Sequence, residues 1–397
     1  MDKPAIEGGD PVRSDPLPIF KLSLTEAERA AVMGVLESGY ISRGPMRDRL
    51  AEAFNAYTGA VHSLVCSSGT SALHLAVGAL GLEPGDEVIV PSLSFVATAF
   101  AATYNDLVPV FAEVDAQTLN LDPADVARKI TDRTRAIIPV HFAGQVCDLE
   151  ALWVLAEAHD LALIEDAAHA AGARHSAGMV GTPLRSGIRH ASCFSFFATK
   201  NMTSAEGGLV TTSDPDLFER MERLRAHGIV PLDDAPRASG FYDVTMEGFN
   251  FHLSDVNIAL GLEQLKRLDE MNVRRKHHAS RLTELLEGLE GIRLPETRAD
   301  HVFHLFNILV EPERLSVDRD QIVRALLAEG IGVGLYYRPI HQFTYFKERF
   351  GTSDGMMPVT ESLGDTIVTL PLYPLLSESD IDDVAEALRK VLGYYLR

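Results

Sequence analysis

Between residues 61 and 212 the chain alternates short apolar, β-branched runs with segments of helical periodicity, and few folds accommodate that order. Strands are expected at 61–66, 87–90, 108–114, 136–140, 162–165, 191–197 and 209–212. Helices are expected at 71–80, 95–104 and 149–159, after two earlier ones at 25–38 and 45–57. Strands separated by helices cannot close as hairpins. They pair mostly in parallel, with helices covering both faces of the sheet. The fold class expected is therefore α/β, with a large, mixed, mostly parallel sheet. From residue 254 the pattern changes. Ser254 is placed to cap a long helix over 255–271. Strands at 302–310, 333–337 and 367–370 then mix with helices at 319–329 and 378–396, which predicts a smaller α+β C-terminal domain. The expected division is 1–265 for the large domain, including a Pro- and Gly-rich N-terminal arm over 1–23, and 266–397 for the small one.

Composition narrows the function classes. The net charge is −20 and no lysine or arginine run appears, which argues against a nucleic-acid partner. Cys66, Cys147 and Cys193 are odd in number and follow no paired spacing, so reduced thiols in the cytoplasm are expected. The opening MDKPAIEGGDPVR is charged and lacks the apolar core of a signal peptide. No stretch approaches about 18 apolar residues, so no membrane span is expected. His277, His278, His301 and His304 do not fall in a zinc-ligand spacing, and no metal is expected.

The chemistry concentrates where predicted strands end. Lys200, in SFFATKNMTSAEGG, is delivered by an apolar strand into a tight polar loop. Held there and partly dehydrated, its amine loses its proton more readily and becomes a nucleophile, as a covalent link to pyridoxal phosphate (PLP) requires. Ser68, Gly69 and Thr70 lie between a strand and a helix, where free N–H groups and small hydroxyl residues cradle phosphate. No lysine follows them as a nucleotide-binding P-loop would require. Asp166 ends the run LIED at a strand's C-terminal edge, where a carboxylate can pair with a buried cation such as a protonated pyridine nitrogen. Each feature also has a plain structural reading: a surface lysine, a helix cap, a core aromatic for Phe95, a core histidine for His169. His141 and Ser195 also fall at strand ends. Their appearance in chain order on one alternating scaffold favours a shared site.

These segments resemble the DegT/DnrJ/EryC1/StrS group of sugar aminotransferases, PLP enzymes of fold type I. The likeness covers nearly the whole chain through LESGYISRGP, SSGTSALHLA, GDEVIVPSLSFVATA, IIPVHFAGQVCDLEAL, LIEDAAHAAGA, FSFFATKNMTSAEGG, GFNFHLSDVNIALGLEQL and TLPLYPLLSESDI. The resemblance implies that Lys200 carries the cofactor and moves the substrate proton, and that Asp166 pairs with the pyridine nitrogen. It implies that Phe95 stacks on the ring and that Ser68, Gly69, Thr70 and Ser195 hold the phosphate. His169 takes a place near the cofactor oxygen. Asn250 reaches the cofactor phosphate of a neighbouring subunit, so a homodimer with shared active sites follows. The partners implied are an amino-acid donor, L-glutamate foremost, and a nucleotide-linked keto sugar, most of all a 4-keto sugar, in a ping-pong reaction.

Within the group the pattern is nearest to the UDP-4-amino-4-deoxy-L-arabinose–oxoglutarate aminotransferases, on GIGVGLYYRPIHQFTYFKERF. The opening AIEGGDPVR and the turn with Asn250 and His252 depart from that subgroup. His341 and Arg338, with Arg43 and Arg225, are candidates for contact with the anionic acceptor. Three alternatives stay open. A keto-cyclitol or other non-nucleotide ketone is one acceptor. A PLP-dependent sugar dehydratase is opposed by lysine at 200, where such relatives carry histidine. A non-catalytic regulator is opposed by the lack of a basic face.

Overall fold

The computed structural model describes residues 3–232 and 241–397; residues 1 and 2 of the expected arm lie outside that range. Seven strands form the central sheet. Side by side they run His62–Cys66, Gly208–Thr212, His190–Ser195, Ala162–Asp166, Thr134–Ile137, Glu87–Pro91 and Val108–Ala112. Gly208–Thr212 alone in this sheet runs against its neighbours. The other pairings are parallel.

The sheet is apolar on both faces because helices cover both. Side chains alternate sides along a strand. Ile89, Leu163 and Phe194 thus enter one core, with Trp153, Phe54 and Leu50. Their neighbours Val88, Val90, Ile164, Ala191 and Cys193 enter the other, with Leu75 and Ala76 of the helix Gly69–Ala79. All three cysteines are buried and free.

The small domain is a three-stranded antiparallel sheet of Ile292–Arg293, Phe306–Val310 and Ile367–Leu370. Helices Arg319–Ala328 and Glu378–Tyr395 contribute Ile322, Leu326, Leu388 and Leu392 to its core. Two expected strands differ. Over 333–337 only Gly334 pairs, through a two-way bond with Thr369, before the chain turns away with Tyr336 and Tyr337. Over 302–305 the N–H groups of Val302 and His304 bond the carbonyls of Gly144 and Ala143, so this stretch docks on the large domain.

The capped helix is longer than expected. Asp255–Leu286 spans 32 residues from a Ser254 side chain that accepts from Asn257 N. The buried positions continue past 271 through Ala279, Leu282 and Leu286, so nothing ends it early. A division at 265/266 falls inside this helix, and the chain passes between domains along it.

The N-terminal arm, expected with the large domain, bonds the small domain over 5–17 and the long helix at Ser23, through Gln264 and Arg267. The buried Glu329 carboxylate accepts the N–H groups of Ala5 and Val12 and pairs with Lys390 at 2.9 Å. Arg13 pairs with Asp380 at 2.8 Å and Asp383 at 2.6 Å, and Leu17 bridges Ile331. Beyond this anchor, Ile19 and Phe20 reach the cavity described next. Among the described residues no helix is long and apolar enough to cross a membrane.

Candidate active site

Parallel strands all present their carboxyl ends at one edge, and loops leaving that edge converge on one place. Here they enclose a cavity of about 460 Å³ lined by Ser68, Gly69, Thr70, Phe95, Asp166, His169, Ser195 and Lys200.

The cradle is set by register. Cys66, Gly208 and Ser195 lie abreast on three adjacent strands. The helix Gly69–Ala79 starts directly above them, with Ser68 as its cap accepting from Ser71 N. A Cβ on Gly208 would sit 2.1 Å from Ser68 O, and one on Gly69 would sit 2.7 Å from Ser195 Cβ. Glycine at both places lets the loop lie flat on the sheet edge. The N–H groups of Gly69 and Thr70 have no partner within the helix and carry its positive dipole end, which suits an anion.

Asp166 is buried and doubly held. Its Oδ2 accepts from Thr98 Oγ1 at 2.7 Å and its Oδ1 from Ala168 N at 3.2 Å. Ser94 Oγ lies 2.8 Å from Thr98 Oγ1 and donates to it, because the Thr98 proton is already committed. Burial pushes the Asp166 carboxyl upward against these bonds and the Lys200 charge. A carboxylate so placed gains from any cation brought opposite it.

Lys200 sits in a loop tied down at several points. Its N–H bonds Phe197 O at 3.0 Å, and Asn201 Nδ2 bonds Asn272 Oδ1 at 2.7 Å and Val302 O at 3.1 Å. Burial lowers the amine to about 8, with the Asp166 charge opposing. Near neutral pH the free amine is therefore a minor form, yet far more abundant than in an ordinary lysine.

Phe95 keeps 56 % of its surface open and faces the cavity, its ring 6.3 Å from that of Tyr337. His169 is buried against Tyr337, with Nε2 3.3 Å from the Tyr337 hydroxyl. Burial and the Lys200 charge hold its imidazole well below the usual range, so it is neutral.

Two expected substrate residues lie outside this cavity. His341 is fully buried, with Nδ1 2.7 Å from Ser92 Oγ and Nε2 3.0 Å from Glu361, and it does not line the cavity. Arg338 is exposed and lies over the Phe343 ring at 5.5 Å, also outside the cavity. Arg225 is buried and donates to Val65 O, while Arg43 is exposed; neither lines the cavity. Asn250 is exposed and paired through its backbone with Ala226, outside the cavity of its own chain. His141 lies beneath the edge, paired with Glu165 at 2.7 Å. Sequence reasoning missed Thr98, Ser94, Tyr337 and His304. Ser94 and Thr98 carried a signal: both are hydroxyl residues where the chain passes from the strand Glu87–Pro91 into the helix Ala97–Thr103, at the edge where parallel strand ends meet.

The DegT/DnrJ/EryC1/StrS aminotransferase family model matches residues 22–389. The chain belongs to this family. It is 37% identical over 382 residues to the spore coat polysaccharide biosynthesis protein SpsC of Bacillus subtilis (strain 168), covering 95% of this chain and 97% of SpsC. Among solved structures it matches Helicobacter pylori PseC, an aminotransferase involved in the biosynthesis of pseudoaminic acid. The TM-score is 0.89 at 28% identity, over 96% of this chain and 100% of PseC. Spr1654 from Streptococcus pneumoniae, solved in a PLP-form, matches with TM-score 0.87 at 28% identity, over 96% of this chain and 100% of that one. The chain is thus a family aminotransferase of PLP fold type I. Its residues fit the cofactor: a glycine-lined anion cradle, a buried carboxylate in want of a cation, and an amine of lowered basicity open to one cavity.

Proposed function

We propose that this enzyme moves an amino group from an amino acid, L-glutamate foremost, to a nucleotide-linked keto sugar, most of all a 4-keto sugar, by alternating two half-reactions in one cavity. The carrying observation is that Lys200 and Asp166 share that cavity with the Ser68–Thr70 cradle. SpsC and PseC are both named for carbohydrate biosynthesis, which supports a sugar acceptor.

PLP is the cofactor, and when bound it supplies an electron sink for a proton leaving the substrate carbon. Gly69 and Thr70 N–H groups with Ser68 and Ser195 would hold its phosphate, Asp166 would pair with its ring nitrogen, and Phe95 would cover the ring. Lys200 Nζ takes the proton from the substrate carbon and keeps it beside the reacting atoms until it is returned, which requires the unprotonated amine that burial favours. Both substrates use the same proton carrier, so the second half retraces the first.

A homodimer fits the placement of Asn250. It lies outside its own cavity, on stretches joined to the exposed Tyr40, Ile41, Phe241 and Tyr242. Exposed apolar side chains on those stretches suit a second copy, into whose cavity Asn250 would extend. A cytoplasmic setting fits the three free thiols.

The test is a half-reaction screen. The pyridoxamine form is mixed with UDP-, dTDP- and GDP-linked keto sugars and with a keto-cyclitol, and the aldehyde absorbance is followed. Its return with a nucleotide sugar supports the proposal; return with the keto-cyclitol alone overturns it. Lys200→Ala should abolish transfer with either.

A further inference from the structure

His304 belongs to the small domain's approach to the cavity, across from the sheet edge that carries Asp166 and Lys200. Its backbone is fixed at both ends. The N–H bonds Ala143 O at 2.8 Å, and the carbonyl accepts from Arg275 Nη1 at 3.4 Å. Its ring packs on His169 with centroids 4.3 Å apart and a 36° tilt. The ring has little freedom to turn.

The two ring nitrogens differ in surroundings. Nδ1 is buried and meets no hydrogen-bond partner. The ring is neutral, because burial first of all, with the Lys200 and Arg275 charges, holds it well below the usual range. A neutral imidazole carries one proton. A buried N–H without an acceptor is rarer in proteins than an unmet lone pair, so Nδ1 keeps the lone pair and Nε2 carries the proton. Nε2 is then the nitrogen available to the cavity. That cavity is walled in part by apolar side chains, Ile19, Phe20, Leu305, Leu370 and Leu372.

A fixed N–H donor in a partly apolar wall selects for an oxygen at one position. It is poorly suited to the carboxylate of an amino-acid donor, which calls for a cation, and this ring resists charging. It suits a neutral hydroxyl or carbonyl oxygen. We propose that His304 is a specificity-determining residue that donates Nε2–H to an oxygen of the sugar acceptor. This rests on the sugar reading given above.

The experiment uses the holoenzyme and two variants. His304→Phe keeps a ring against His169 and removes the donor; His304→Gln returns an N–H. The donor half-reaction is run with L-glutamate, and the acceptor half-reaction with the keto sugar that the wild type accepts in the screen. In His304→Phe the acceptor rate constant should fall about tenfold, the value of one neutral hydrogen bond. The donor half-reaction and the cofactor absorbance should change by less than about twofold, and His304→Gln should recover part of the loss. If His304→Phe does not fold, His304→Gln alone decides, by a change confined to the acceptor half. Equal loss in both halves, or none in the acceptor half, overturns the role of His304. A wild type that passes the donor half yet takes no keto sugar overturns the sugar reading, and this inference with it.

Discussion

Thr98 Oγ1 donates to Asp166 Oδ2 across 2.7 Å, and the hydroxyl of Ser94 feeds Thr98 in turn at 2.8 Å. The carboxylate therefore stands at the end of a hydroxyl relay whose direction is fixed. Burial alone raises its pKa, and this bond is what opposes burial first. Thr98→Val keeps the shape and removes the bond. A hydrogen bond to a charged group is worth about 1.5–3 kcal/mol, so PLP affinity should fall roughly ten- to hundredfold. A fluorescence titration of the apoenzyme with PLP checks it, and Ser94→Ala should give a smaller loss.

The lowered basicity of Lys200 has a defined sign with pH. Its folded value is about 8, against an ordinary 10.5, so between those values the unfolded chain binds the extra proton. Folding is then favoured by rising pH across that window. Lys200→Met should raise the melting temperature of the apoenzyme at pH 7, with the advantage shrinking as pH climbs above about 8. Reconstitution with PLP should quicken with a midpoint near 8. Asp166→Asn removes the opposing charge and should move that midpoint lower.

The cradle tolerates no side chain at 208. Gly208→Ala places a Cβ 2.1 Å from Ser68 O, a contact with backbone that cannot rotate away. A loss of about 1–3 kcal/mol or more is expected, with PLP binding lost alongside. Gly34 offers the contrast: it lies inside the helix Glu26–Ser38 with nothing within 4 Å of an added Cβ. Gly34→Ala should stabilise by about 0.5–1 kcal/mol. Thermal melts of the two variants, side by side, test both.

Glu165 lies next to Asp166 but on the other face, buried between His141 and His190. Burial opposes a charge on His141, and Cys147 and Glu165 together overcome it, so its pKa rises. Glu165 itself is held well below its usual value by the two histidines, against burial. His141 thus contributes stability that is complete below about 6.5 and declines as pH rises. Glu165 contributes stability that is lost only in acid. Glu165→Gln should cost about 3–5 kcal/mol at neutral pH and flatten the pH profile of the melting temperature between 6.5 and 9.

His341 is tied to Ser92 and Glu361 and faces no cavity, so its role is to hold the loop that follows Tyr337. His341→Ala should lower stability by about 1–3 kcal/mol through the stranded Ser92 and Glu361 groups. The KM for the acceptor should hold. A raised KM at unchanged melting temperature would return His341 to the substrate site.

What could be read from the residues follows a physical divide. Strand ends are legible, because a buried strand advertises itself by its apolar run and parallel ends must meet at one edge. Lys200, Asp166 and the Ser68–Thr70 loop were expected there, and the cavity holds all of them. Side chains on irregular segments are not legible, since nothing in YYRPIH tells which residue turns inward. Tyr337 faces the cavity, His341 turns into the core and Arg338 into solvent. The docking of the arm is hidden for a related reason. Its anchor is Glu329, more than 300 positions away in the chain, and no local pattern announces such a bond.

The unbroken helix Asp255–Leu286 has a mechanical consequence. It packs on the helix Glu26–Ser38 at one end and on Glu378–Tyr395 at the other. A continuous rod bolted to both domains leaves no joint between them at that crossing. The strand of chain at Ile19–Phe20, which lines the cavity, is held on both sides as well. Upstream, Leu17 bonds Gly330 and Gly332; downstream, Ser23 accepts from Gln264 and Arg267 of that same rod. The arm and the helix thus brace one wall of the cavity together.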